Sequence, residues 1–380
     1  MSDAKNLRVI YVASPPMFTK GASAIHIFKM CQAISKTGIE TELIISANRS
    51  QSEMCEYYNV DKDFRITPFP YFNSSAIRNV FHGLLSAFYI KFFRYNRYDV
   101  VVTRNIVFTY IATKLKIPTV YDAHHPLVSG AEFLFNSFKH SDYLVRFSTN
   151  SNGLAQMYLK LGLPEEKLVV AHNGVELDPF QDAPSKTNSR KELGLPLRKK
   201  IVCYCGNIYE GRGIEALIDA AIKLEDAMFL VVGGAQEDVN RYRRIAHNKG
   251  AENFELTGFV PHKDVPKYLM ASDILVMPYS SKMTIKGGTK AEEFTSPIKL
   301  FEYMASDRPI VATSIPSVLE ILENEVNSVL VEPDIAEQIY LGLNKVLNDD
   351  DLAKRISKQA KLDVSNYTWE VRAKKLLGLK

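Results

Sequence analysis

The chain reads as an α/β protein of two doubly wound domains, and three observations predict it. Short apolar runs alternate with helix-length amphipathic segments almost from end to end, the pattern of parallel sheets covered on both faces. The alternation comes as two series, separated by a polar stretch broken by prolines. The 380 residues, 46% of them hydrophobic, are enough for two separate cores.

In the first series the predicted strands are residues 8–12, 41–45, 100–103, 118–121, 143–147 and 168–171. Between the first two, residues 24–35 place Ile27, Met30, Cys31 and Ile34 on one helical face, and Gly38 stops the helix. The second series has strands at 201–205, 229–232, 254–257, 274–277, 310–312 and 328–331. Between Val175 and Leu193 the pattern lapses into Asp178-Pro179-Phe180, Ala183-Pro184-Ser185 and a polar run from Lys186 to Arg190. The domains are therefore drawn as 1–175 and 176–366, with a terminal helix at about 367–380. Ligands of open α/β sheets bind outside the carboxyl ends of the strands. Two such sheets facing a central cleft would hold one substrate on each wall.

Composition narrows the function. A net charge of +4 suits an anionic substrate or a membrane surface and does not call for nucleic acid. The four cysteines have no metal-ligand spacing and read as buried thiols in a reducing compartment. The first apolar run is too short and wrongly flanked for a signal peptide. No run reaches the roughly 18 apolar residues that a membrane span needs. A cytoplasmic protein is expected.

Residues 296–308, from Ser296 through Arg308, carry the most chemistry. Ser296 suits a helix cap and Pro297 the first helical position, so the first N–H groups, near Ile298, are free for an anion. Lys299 adds a cation in that turn. Glu302 follows, where a carboxylate can accept bonds from paired hydroxyls. Phosphate beside a diol describes a nucleoside diphosphate. Gly21, between the first strand and helix, is either a close-approach glycine for the same anion or an ordinary loop residue. Gly206 to Gly213 opens the second domain with Arg212 ahead of its helix. A Walker loop is excluded there, because Arg212-Gly213 stands where Lys followed by Ser or Thr is required. Arg212 is suited to gripping a diphosphate, with a solvated helix-end charge as its plain alternative. Neither half has the dinucleotide glycine fingerprint, which disfavours a nicotinamide dehydrogenase. His124 and His125 follow a strand and lack the spacing of a metal site.

In order, Gly21, Asp122-Ala123-His124, His172-Asn173-Gly174-Val175, Gly206 to Gly213, Thr257-Gly258-Phe259-Val260 and Ser296 to Ala305 resemble glycosyltransferase family 4. This resemblance covers nearly the whole chain. It implies the GT-B fold, two Rossmann-like domains, and a retaining transfer of sugar from a nucleoside diphosphate, UDP- or GDP-linked, to an acceptor hydroxyl. It also implies that Glu302 binds the ribose, that main chain near Phe259 and Val260 meets the base, and that His124 lies beside the sugar. The last helix is implied to cross back onto the first domain. The sequence departs from the family twice. Phe294 occupies the position of the usual first glutamate, and Asn207 that of a usual arginine, which Lys299 would replace.

The expected mechanism needs no cofactor and no metal, since no aspartate pair suits magnesium. No convincing enzymic nucleophile is present either. Arg212, Lys299 and N–H groups near Gly21 and Ile298 would stabilise the leaving diphosphate, whose oxygen takes the acceptor's proton. Residues 280–295, with Lys282, Lys286, Gly287, Gly288 and Lys290, read as a lid or as a surface loop. Residues 78–98 interleave Arg78, Lys91, Arg94 and Arg97 with aromatics. They read either as a core helix with snorkelling ends or as a peripheral contact with an anionic membrane. The expected acceptor is a glycan or lipid-linked saccharide of surface polysaccharide or glycoconjugate synthesis. The rivals are a sugar-nucleotide 2-epimerase on the same fold and a non-catalytic nucleotide-binding scaffold.

Overall fold

The computed structural model describes residues 7–18, 22–94, 96–282 and 293–379. The chain divides into two compact units, Met1–His172 with Trp369–Lys380, and Asn173–Thr368. The division falls at 172/173 rather than 175/176. Val175 already bridges Thr368 and its N–H donates to the Tyr367 carbonyl at 3.0 Å, which ties it to the second unit. The returning segment correspondingly begins at Trp369 rather than 367.

In the first unit, β1 (Arg8–Ala13), β2 (Glu40–Ser46), β3 (Arg65–Phe69), β4 (Val100–Thr103), β5 (Thr119–Ala123), β6 (Leu144–Thr149) and β7 (Leu168–Val170) form one parallel sheet. Their order is β3-β2-β1-β4-β5-β6-β7. β1 is buried from Val9 to Ala13, as a strand with helices on both faces must be. Helix Ala22–Lys36 buries Ile27, Met30, Cys31 and Ile34, the face expected for it. β3 is the strand that pattern reading missed. It lies at the sheet edge, and its sequence Arg-Ile-Thr-Pro-Phe has no apolar run; Pro68 is tolerated because an edge strand leaves one side unpaired. The last helix, Trp369–Leu377, packs on helix Ala22–Lys36.

In the second unit, β8 (Lys200–Cys205), β9 (Ala227–Val232), β10 (Phe254–Gly258), β11 (Ile274–Met277), β12 (Ile310–Thr313) and β13 (Val329–Val331) are also parallel. The order is β10-β9-β8-β11-β12-β13. Strand order reverses between β1 and β4 in one unit and between β8 and β11 in the other. At such a switch point the loops above neighbouring strands diverge and leave room for a ligand. All four cysteines are buried and free. No helix among the described residues is long and apolar enough to cross a membrane.

Candidate functional site

The second unit concentrates its polar chemistry at the β8/β11 switch point. After β8 the chain turns through Gly206 and Gly213, both with positive φ, into helix Ile214–Lys223. A Cβ on Gly213 would meet the Pro278 carbonyl oxygen at 1.6 Å, so only glycine lets the loop pass the end of β11. One residue beyond Pro278, the fully buried ring of Tyr279 carries both cations. The Arg212 guanidinium lies 4.6 Å from its centroid and the Lys299 ammonium 5.5 Å. Arg212 also lies over Tyr209 at 4.5 Å and bonds its hydroxyl, and Lys299 lies over Tyr204 at 5.3 Å. Aromatic faces hold the two positive charges in place without neutralising them. Burial would push the Tyr279 phenol up, but Lys299 and Arg212 outweigh it and leave it below its ordinary value.

Lys299 reaches this place from helix Ile298–Ala305. Tyr303, one turn further on the same face, accepts a bond from the Cys205 N–H at 2.7 Å and pins the helix to the end of β8. Lys299 then meets the next residue along: a Cβ on Gly206 would stand 1.9 Å from its Nζ. Gly206 thus makes the space that Lys299 fills. Asn207 is exposed, and its carbonyl accepts from Tyr204 Oη at 2.5 Å. No side chain there supplies the cation that the resemblance leads one to expect.

The helix start differs by one residue from expectation. Pro297, in extended conformation, is the cap itself, and no side chain caps the helix. Ser296 is engaged elsewhere: its Oγ accepts from Asn173 N–H at 3.1 Å and its carbonyl from Asn173 Nδ2 at 2.6 Å. Leu300 N–H donates to the Pro297 carbonyl at 3.0 Å, and among the described residues the N–H groups of Ile298 and Lys299 are left for a ligand. Glu302 is nearly buried, and its Oε1 lies 2.8 Å from His262 Nε2. His262 follows Phe259, exposed after β10, and Val260. Phe294 is 1% exposed and Glu293 is exposed, so the position of the family's first glutamate is filled by packed ring.

His124 belongs to the first unit, where it follows β5. Its Nε2 lies 3.0 Å from Asp122 Oδ2 and 3.2 Å from Arg372 Nη2. Burial, joined by the Arg104 charge, pulls the imidazole down to about 3. Burial alone would raise the Asp122 carboxyl, but Arg372 and His124 hold it well below the usual range. With His26, the donor atoms of Asp122 and His124 lie within 4.8 Å of one another. A metal would compete there with the fixed charge of Arg372. Gly21 and the segment 283–292, with most of the candidate lid, lie outside the described residues.

Helix Ser75–Phe93 faces the core on one side, but Arg78 and Arg94 do not snorkel outward from it. Arg78 is buried, its Nε donating to the Ser14 carbonyl at 3.1 Å and its Nη1 to that of Phe72 at 2.7 Å. Arg94 pairs with Glu42 at 3.0 Å. Ala87 and Ile90 face the core. The opposite side exposes Ile77, Phe81, Leu84, Leu85, Phe88 and Phe92, the last 69% open. These positions recur every three or four residues, so they form one apolar stripe.

The sequence points to Arg212, Lys299 and Glu302 but not to their neighbours Tyr204, Tyr279 and His262 in the second unit, nor to Arg372 beside Asp122 and His124 in the first. Tyr279 alone had a usable signal, its position just past a strand beside the switch point.

Two parallel-sheet units with polar residues at the strand ends define the GT-B architecture, and comparison with known proteins makes this a glycosyltransferase. Residues 23–179 match the model of Glycosyltransferase Family 4 and residues 185–363 that of Glycosyl transferases group 1. The chain belongs to glycosyltransferase family 4. It is 24% identical to the uncharacterized glycosyltransferase MJ1607 of Methanocaldococcus jannaschii, over 96% of this chain and 95% of that one. Among solved structures, a glycosyltransferase from Rickettsia africae aligns with a TM-score of 0.77 at 19% identity, covering 98% of this chain and 97% of its own. Anabaena Alr3699/HepE, solved in complex with UDP and glucose, aligns with a TM-score of 0.75 at 17% identity over 98% of both chains.

Proposed function

We propose that this chain transfers a sugar from a UDP- or GDP-linked donor to an acceptor hydroxyl with retention of anomeric configuration, and without a metal. The observation that carries the reading is the pair of cations, Arg212 and Lys299, gathered against one buried tyrosine beside an uncapped helix start. Negative charge develops on the diphosphate as the sugar bond loosens, and prepositioned donors stabilise it without reorganising. Glu302, one turn along the same helix, is suited to the ribose diol. Exposed Phe259 and the main chain at Val260 are assigned to the base, and Gly206, Asn207, Pro297 and Ile298 to backbone contacts with the donor. His124, neutral at physiological pH, is assigned to the transferred sugar rather than to proton abstraction. The departing phosphate oxygen takes the acceptor's proton, on the face the sugar leaves.

Thermal melting with UDP-, GDP- and ADP-sugars tests the donor. A donor at about a hundred times its Kd stabilises the native state by about 2.7 kcal/mol. One nucleotide class raising Tm, with the rise abolished in Glu302→Ala, is expected. Identical melting curves with all three would refute the reading.

The acceptor we assign is a glycan or lipid-linked saccharide, and the apolar stripe on Ser75–Phe93 supports work at a bilayer, with exposed Arg97 at its end. Burying an aromatic side chain is worth about 1.5–3 kcal/mol. Phe88→Glu/Phe92→Glu is therefore expected to lower binding to phosphatidylglycerol–phosphatidylcholine vesicles by at least about a hundredfold in flotation. Failure of the parent to float with such vesicles at low salt would exclude the membrane role.

A further inference from the structure

The polar cluster of the first unit contains a cation that the chain itself provides. Arg372 is 1% exposed. Its Nη2 donates to Asp122 Oδ1 at 2.7 Å and lies 3.2 Å from His124 Nε2, and its Nη1 donates to the His172 carbonyl at 3.0 Å. Asp122 is thereby bonded through both oxygens, one to the guanidinium and one to the imidazole. Trp369, three residues earlier and so on the same helical face, sets its ring edge-on to His26 at 5.0 Å. His26 in turn meets the His124 ring edge-on at 4.4 Å. One turn of the last helix thus reaches His124 twice, once through charge and once through packing. Among the described residues neither ring nitrogen of His26 has a hydrogen-bond partner, which leaves that ring a packing element here.

We propose that Arg372 is the positioning residue for His124, acting directly and through Asp122, while Trp369 closes the imidazole's other side through His26. Nε2 of a neutral imidazole either donates or accepts. With a carboxylate and a guanidinium both beside it, the ring rotation and tautomer are set by how Arg372 holds Asp122. The groups facing the ring are Arg372 from the last helix, Arg104 after β4, Asp122 from β5 and His26 from helix Ala22–Lys36. A latch that merely fastened the helix would change stability and leave the imidazole's tautomer and titration untouched.

The inference rests on His124 serving the transferred sugar, so the test keeps the two apart. The full chain, labelled in histidine with ¹³C and ¹⁵N, is titrated by NMR, with the His124 signals assigned by His124→Asn. In Arg372→Met the freed carboxylate is expected to let His124 take up its proton at least about one pH unit higher. With UDP-glucose as the probe donor, kcat is expected to fall about tenfold or more with KM little changed, and Arg372→Lys to recover part of kcat. Where Arg372→Met does not fold, Arg372→Met/Asp122→Asn strands no charge. Its ring ¹⁵N shifts are then expected to show a mixture of tautomers in place of one. A parent-like titration and tautomer in a folded variant would overturn the inference. If the signals move as expected but His124→Asn keeps full turnover, positioning stands and the role given to His124 falls. If the parent does not turn over UDP-glucose, the NMR result decides alone.

Discussion

Arg212→Ala is expected to slow transfer by about 10²–10³-fold, the 2.7–4 kcal/mol typical of removing one prepositioned donor from developing negative charge. Lys299→Ala is expected to cost a similar amount, because both cations rest on the same ring, 4.6 and 5.5 Å from its centre. The two losses should not add, since groups that act on one leaving diphosphate and share a platform are coupled. Gly206→Ala tests the geometry without removing a charge. The new Cβ would stand 1.9 Å from Lys299 Nζ and 2.7 Å from its Cε, so the flexible lysine tip must swing away, and the φ of 145° adds local backbone strain whose cost a melting curve separates from the loss of activity. Activity should fall toward that of Lys299→Ala. Asn207→Arg, introduced into Lys299→Ala, restores the arginine that family resemblance leads one to expect and should recover part of the rate. Steady-state turnover of a UDP-sugar measures each case. Full activity in Lys299→Ala beside complete loss in Arg212→Ala would show that Lys299 does not substitute for the missing arginine.

Acid should unfold the first unit well before the second. Burial pulls His82 and His124 down to about 3 and His26 well below its ordinary value. The same residues titrate near 6.5 in an unfolded chain. Because the folded values are the depressed ones, this stability is fully present above about pH 6.5. It is lost as pH falls toward the folded values, when the unfolded chain binds protons that the native state refuses. The limit is about 1.4 kcal/mol per pH unit for each histidine. At half that limit, to allow for relaxation, the three together lose about 3 kcal/mol by pH 5, a large part of a typical domain's stability. Asp122 adds nothing in this window. Its depressed value supplies stability above about 3.9, which is lost only at lower pH. The second unit has two histidines, His247 and His262, both exposed. The single tryptophan, Trp369, lies in the first unit against His26 at 5.0 Å and reports on it selectively. Its urea midpoint should drop steeply between pH 7 and pH 5, and His82→Phe should remove about a third of the slope. A midpoint independent of pH over that range would contradict the assignment of buried neutral histidines.

The two series of strands were legible because a parallel strand covered on both faces must be an apolar run, and Val100–Thr103 and Ile274–Met277 are such runs. β3 was not, since an edge strand with Pro68 carries no such run. Arg212, Lys299 and Glu302 could be proposed from position alone, as residues that follow a strand or open a helix. For residues 78–98 the sequence did not show which way the interleaved basic residues turn. Arg78 is turned inward to backbone carbonyls and Arg94 to Glu42, so what reaches solvent is mainly apolar.

Local pattern was enough for the class of fold, the order of its elements and which charged residues stand at strand and helix ends, because these depend on neighbours within a few positions. Which groups share one place emerges from the packed fold. Arg372 lies 250 residues from Asp122 and Tyr303 lies 98 from Cys205, so no local pattern links them. Their partnership exists because burying a charge or a backbone N–H requires a partner, and packing of distant elements is what supplies it.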